Sequence, residues 1–270
     1  MSEILIPVAI VGGTGLLFGC LLAFAAIIFK VDKDSRIEMI EDTLPGANCG
    51  ACGFAGCSAY AAAIVENGAS VSSCSVGKDA VANRIAEIMG VKAEKVEPKV
   101  ARVMCVGKCS VADNKYEYYG IEDCVAAAKL AGGAKTCPNG CLGLGSCVKV
   151  CKFDAISVEE NIAVIDENKC TACGQCLKAC PKSVIEFVPL SNKVWVPCNN
   201  TEKGADTNKY CRVGCVACRL CEKNCPGEAV TIVNNHAVID YSKCISCGLC
   251  ADKCPKKLIH KGKSDGIGIK

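Results

Sequence analysis

The chain opens on a long apolar run. Residues 4–29 carry no charged side chain, 26 positions in all. About 20 apolar residues suffice to cross the hydrocarbon core of a bilayer, so the run predicts a transmembrane helix. Met1-Ser2-Glu3 ahead of it has no basic residue, and the run is longer than the apolar part of a cleavable signal. Lys30, Lys33 and Arg36 follow at once. Positive charge beside a membrane helix stays on the cytoplasmic side. The expectation is a single-pass cell-membrane anchor over 1–30, its N-terminus outside and the rest of the chain cytoplasmic. Gly15 and Gly19 form a small-xxx-small pair that admits a second helix, although glycine is common in membrane helices anyway. Cys20 reads as a small buried hydrophobe.

Beyond the anchor the apolar positions come in shorter periods. Residues 36–44 read as a short helix stopped by Pro45-Gly46, and 58–66 and 78–89 as two more, giving a small helical unit over 34–90. Residues 91–133 read as a linker and a segment holding Cys105, Cys109 and Cys124. Then the period changes to two. Residues 155–158 and 163–165 are short β-branched runs around a polar turn, and the arrangement returns at 229–233 and 237–239. With the cysteine runs that flank them these make an internal repeat. One module covers 134–189, an insertion 190–214, a second module 215–260 and a tail 261–270.

Cysteine decides the chemistry. There are 26 in 270 residues. They stand in tight runs, poorly placed to pair with one another, and nothing indicates an oxidising destination, so a disulfide framework is not expected. The run Cys-x2-Cys-x2-Cys-x3-Cys-Pro occurs at Cys170, Cys173, Cys176 and Cys180, at Cys215, Cys218, Cys221 and Cys225, and at Cys244, Cys247, Cys250 and Cys254. Three such cysteines wrap one four-iron cluster, and the fourth ligates the other cluster of a pair. One cluster therefore takes Cys215, Cys218, Cys221 and Cys254, and its neighbour Cys244, Cys247, Cys250 and Cys225. In the preceding module one takes Cys170, Cys173, Cys176 and Cys151, and the other Cys137, Cys141, Cys147 and Cys180. That last set departs from the pattern: its spacing widens to x3 and x5, and Lys152 replaces the proline after Cys151. Cys49, Cys52, Cys57 and Cys74 supply a fifth set in the helical unit. The expectation is five [4Fe-4S] clusters. Cys105, Cys109 and Cys124 offer three ligands to a sixth, or else are packing residues or a local thiol pair; Cys198 and Cys211 are unassigned.

The fold class that follows is α+β: one transmembrane helix, a small helical 4Fe-4S domain, then tandem two-cluster ferredoxin-like modules of βαββαβ type. Aromatics make up only 5% of the chain, so clusters would serve as core fillers and staples. The formal charge of +3 counts each cysteine as neutral; five clusters at roughly two negative charges each would bring it to about −7. The basic residues Lys256, Lys257, His260, Lys261 and Lys263 suggest a docking edge but fit a solvated tail as well. The two histidines lie in no metal-ligand spacing, and no dinucleotide fingerprint follows a strand. Neither direct NAD binding nor a nucleic-acid partner is expected.

The stretch Leu44-Pro-Gly-Ala-Asn-Cys49-Gly-Ala-Cys52-Gly-Phe-Ala-Gly-Cys57, between a membrane helix and ferredoxin modules, resembles the B-subunit family of the Rnf complex. The resemblance covers essentially the full chain, and the second module resembles the longer form of this family found in anaerobes. It implies a six-subunit membrane complex that passes electrons from reduced soluble ferredoxin to NAD+ and exports Na+ or H+. The partners it implies are the A, C, D, E and G subunits of that complex. The B subunit would be the port for ferredoxin electrons. Two other readings compete. One is a polyferredoxin of a hydrogenase or formate dehydrogenase complex. The other is an assembly scaffold built on zinc, which also accepts four cysteines.

Overall fold

A computed structural model describes residues 2–28 and 34–262, with side chains for 11–25 and 34–262. Helix α1 (Ser2–Ile28) runs unbroken through its four glycines. Among the described residues no helix is long and apolar enough to cross a membrane. Over 11–25 the large apolar side chains of α1, Leu16, Phe18 and Leu22 among them, are exposed. Lys30 and Lys33, which set the expected orientation, lie outside the described residues, as does most of the tail, 263–270.

The helical unit is formed by α2 (Ser35–Thr43), α3 (Cys57–Asn67) and α4 (Lys78–Met89). Asp34 caps α2 by accepting the Arg36 N–H at 2.9 Å. Hydrogen bonds from Arg36 hold that carboxyl at about 2. Ile37, Ile40 and Leu44 make one apolar stripe and meet Tyr60, Ile64 and Ile85 in a buried core. The Tyr60 hydroxyl donates to the Ser70 carbonyl at 2.6 Å and accepts the Ser73 N–H at 3.1 Å. That pair of bonds fixes the loop carrying Cys74.

The next elements are β1 (Lys99–Val103), α5 (Cys124–Lys129), α6 (Ser146–Lys149), β2 (Ile156–Glu159), β3 (Ile162–Ile165), α7 (Gln175–Ala179) and β4 (Ile185–Pro189). β1 pairs antiparallel with β4, Val103 opposite Ile185, and β2 with β3, Ile156 opposite Ile165. The chain continues through β5 (Val194–Trp195), α8 (Gly204–Tyr210), α9 (Leu220–Lys223), β6 (Val230–Val233), β7 (His236–Ile239), α10 (Leu249–Asp252) and β8 (His260–Lys261). β5 pairs with β8 and β6 with β7. Both modules thus share one plan: an outer strand pair closes the unit, an inner hairpin fills it, and cysteine runs lie between.

The outer strands widen both modules beyond their expected limits. β1 begins inside the stretch read as linker, and β5 and α8 lie inside the stretch read as an insertion. No local period reveals β1, because its partner strand is far downstream in the chain. Its burial shows only in the fold, where Val100, Ala101 and Arg102 are all buried. Arg102 also ties the modules together. Its guanidinium lies 3.6 Å from the centroid of Trp195 on β5 and 2.6 Å from Glu167, and Trp195 stacks on His260 of β8 at 4.6 Å.

Candidate iron–sulfur sites

The cysteine loops have a shared backbone. In each of the three regular runs the residue before the second cysteine is left-handed: Ala172 (φ 55°), Ala217 (φ 54°) and Ser246 (φ 54°). So is the residue after it, Gly174, Arg219 or Gly248. Left-handed residues set among right-handed ones turn successive N–H groups inward and make a nest for an anion or an iron–sulfur cluster. A side chain there costs roughly 1–2 kcal/mol per residue, so something in the loop must hold Ala217 and Arg219 in place. Three residues beyond each fourth cysteine, Asp154, Ser183, Glu228 and Lys257 are left-handed with φ of 48–49°. The chain leaves all four runs by the same turn, including the one where Lys152 stands in for proline.

Cys215, Cys218, Cys221 and Cys254 line one void with Val196, Ile232 and Ile259. Cys151, Cys170, Cys173 and Cys176 line another. Cys244, Cys225 and Cys247 stand around Cys250, and the Ala229 N–H donates to Cys225 Sγ at 3.3 Å. In the helical unit Cys52 and Cys57 stand beside Cys74, whose Sγ accepts the Gly77 N–H at 3.4 Å. Cys49 opens the same loop, and its carbonyl accepts from the Gln175 side chain, which ties this unit to the void of Cys173 and Cys176.

The remaining cysteines regroup. A third void gathers Cys124, Cys141, Cys147 and Cys180. Cys137 is not there. It lines a fourth void with Cys105, Cys198 and Cys211. The spacing in sequence puts Cys137 in the set with Cys141 and leaves Cys124 outside; the structure places them the other way round. Cys109 is exposed and lines none of these voids. The reason for the exchange is register. Cys141-x5-Cys147-x3-Cys151 has the spacing of Cys215-x5-Cys221-x3-Cys225, with Leu144 where the second module has Cys218. The backbone agrees: Gly143 (φ 69°) and Gly145 (φ 73°) hold the left-handed places of Ala217 and Arg219. Cys124 fills the gap from the start of α5. Asp123 caps that helix through the Ala126 N–H at 2.8 Å and accepts the Ser146 hydroxyl at 2.7 Å; Ser146 Oγ in turn accepts the Cys124 N–H at 2.6 Å.

Burial pushes the thiols of Cys147, Cys176 and Cys198 up to about 12, and those of Cys137, Cys141, Cys221 and Cys250 to about 11. These groups ionise only when a metal centre takes the place of the proton. The arrangement fits an iron–sulfur cube: four sulfurs around an apolar void, with backbone N–H groups aimed at sulfur. Among the described residues no three of His, Cys, Asp and Glu lie close enough to share one metal ion.

Nests, quartets and paired modules define an iron–sulfur protein of the ferredoxin type. Family comparisons match an Fe-S cluster model over 44–76, a 4Fe-4S binding domain over 163–186 and a 4Fe-4S dicluster domain over 214–259. The chain is 47% identical over 244 residues to the B subunit of the Na(+)-translocating ferredoxin:NAD(+) oxidoreductase complex of Acetobacterium woodii, covering 90% of this chain and 73% of that one. It is 43% identical to the B subunit of the ion-translocating oxidoreductase complex of Methanosarcina acetivorans, over 90% of this chain and 93% of that one. The proton-translocating counterpart of Clostridium ljungdahlii is 45% identical over 90% and 86%. The chain belongs to the B-subunit family of these ion-translocating oxidoreductase complexes, the Rnf family.

Proposed function

We propose that this chain is the membrane-anchored iron–sulfur subunit of an ion-translocating ferredoxin:NAD+ oxidoreductase. It takes electrons from reduced soluble ferredoxin and relays them to partner subunits. The observation that carries the reading is the file of thiol quartets running from the helical unit through both modules. Five quartets are [4Fe-4S] ligand sets. They are Cys49, Cys52, Cys57 and Cys74; Cys151, Cys170, Cys173 and Cys176; Cys124, Cys141, Cys147 and Cys180; Cys215, Cys218, Cys221 and Cys254; and Cys225, Cys244, Cys247 and Cys250. A cluster of this kind supplies single-electron uptake and release with no bond made or broken to a substrate. The chain's own residues hold it, exclude water from it with aliphatic side chains such as Ile156 and Ile259, and aim N–H groups at its sulfurs. Residues 1–30 anchor the chain, with the modules on the cytoplasmic side. The A, C, D, E and G subunits are the expected partners, with NAD bound on the C subunit rather than here.

The test uses the full chain in detergent without oxygen. Reduced soluble ferredoxin should bleach its visible absorption. Bleaching by dithionite but not by ferredoxin would leave an iron–sulfur protein that is not the ferredoxin port. Alkaline washing should leave the chain in the membrane, and its release would contradict the anchor.

A further inference from the structure

The void shared by Cys105, Cys137, Cys198 and Cys211 belongs to neither module alone. Each module contributes two of the four, from matching places. Cys105 follows β1 and Cys198 follows β5, the first outer strand of each module, and the two cysteines face each other across an antiparallel bridge. Cys137 stands four residues before Cys141, and Cys211 four residues before Cys215, the cysteines that open the two matching runs. The hydrogen bonds match as well. Cys105 Sγ accepts the N–H of Cys141 at 3.4 Å, and Cys198 Sγ accepts the N–H of Cys215 at 3.4 Å. A methyl group on Gly107 would lie 3.6 Å from Cys105 Sγ and 4.0 Å from Cys211 Sγ, so sulfurs of both modules converge beside one glycine.

The same void is lined by Lys135, which is 2% exposed. Its Nζ donates to the carbonyls of Gly107 and Asn161, and among the described residues it makes no ion pair. A buried ammonium without a counter-charge is costly. A four-iron cluster with four thiolates carries roughly two negative charges and would answer that ammonium.

We infer that Cys105, Cys137, Cys198 and Cys211 bind a sixth four-iron cluster at the seam between the two modules, with Lys135 as its buried counter-ion. This deepens the iron–sulfur reading above and rests on it. The seam site joins what would otherwise be two separate cluster pairs. It is one hydrogen bond from Cys141 on one side and one from Cys215 on the other. One electron crossing it oxidises one neighbour and reduces the next, with no proton or atom transferred. The electron comes from the low-potential donor that feeds the chain.

Iron and acid-labile sulfide counted on the anaerobically purified full chain should each give about 24 per polypeptide, four for every cluster. The double variant Cys198→Ala/Cys211→Ala should lose about four of each, because neither residue serves another quartet. Cys109→Ala should lose none. A wild-type count of about 20, unchanged in the double variant, would overturn the sixth site and leave the five-cluster reading standing. A chain with no iron would instead sink the reading beneath both. If the double variant does not fold, the wild-type count decides alone. Lys135→Gln sharpens the placement, since loss of the nearby positive charge should move one midpoint to more negative potential in a redox titration followed by electron paramagnetic resonance. Midpoints all equal to wild type would contradict the placement of Lys135 against the cluster.

Discussion

The two ferredoxin-type modules share one plan and differ in how one quartet is assembled. In the second, both cysteine runs are regular and each quartet is assembled from that module's own runs. In the first, Leu144 occupies the middle position of the run, and Cys124 is brought in from α5 to complete the quartet. The contrast teaches that the nest geometry does not require a cysteine at its centre. Gly143 and Gly145 have the left-handed backbone of Ala217 and Arg219 although Leu144, not a cysteine, stands between them.

The largest expected effect breaks that difference directly. Cys124→Ala should remove one cluster from the first module, about four iron atoms by chemical analysis. Adding Leu144→Cys to Cys124→Ala should restore it, because position 144 has the backbone place of Cys218. If iron does not return, the two runs are not equivalent.

Gly143→Ala comes next. A Cβ there would sit at positive φ and collide with the side chain and carbonyl of Asn161, so we expect about 2–3 kcal/mol of destabilisation in denaturant titration. The matching change in the other module, Ala217→Gly, relieves strain but adds unfolded-state freedom. It should move stability by less than about 1 kcal/mol. Equal effects at the two positions would contradict the close approach of Asn161 to Gly143.

Arg102→Met should cost about 2 kcal/mol, because it leaves the largely buried Glu167 unpaired and removes the cation from the Trp195 face. Arg102→Lys should recover only part of this, since an ammonium does not stack as a guanidinium does. The smallest effect concerns pH. His260 is held below its usual range by burial, and then by the Arg102 charge. Its neutral form is the folded one, so its contribution is present above the unfolded value of about 6.5 and is lost as pH falls below it. The first module has no histidine in its outer strands. His260→Phe should flatten the acid side of the stability curve for the second module only.

Regular runs make most of the site legible. Three cysteines at spacing three, a fourth at four and a proline suggest both a nest and a neighbouring quartet, and the structure brings Cys215, Cys218 and Cys221 together with Cys254 and Cys170, Cys173 and Cys176 together with Cys151. Two things are not legible by the same means. The outer strands are two to five residues long, and their pairings span most of a module, so no local period marks them. The exchange of Cys137 for Cys124 is hidden because Cys137 stands ahead of the first-module run and resembles its widened opening. One signal does exist: aligning Cys141, Cys147 and Cys151 on Cys215, Cys221 and Cys225 isolates Cys137 and Cys211 as a second matched pair. The use of Cys124 has no such signal, because it depends on the Asp123–Ser146 latch that only the fold brings together.

The most direct test of the central claim is native mass spectrometry of the intact chain, purified without oxygen. Thiol quartets that hold iron–sulfur cubes predict a mass increment of iron and sulfide in equal numbers, in steps of four. An increment made of zinc without sulfide, or none at all, would contradict it.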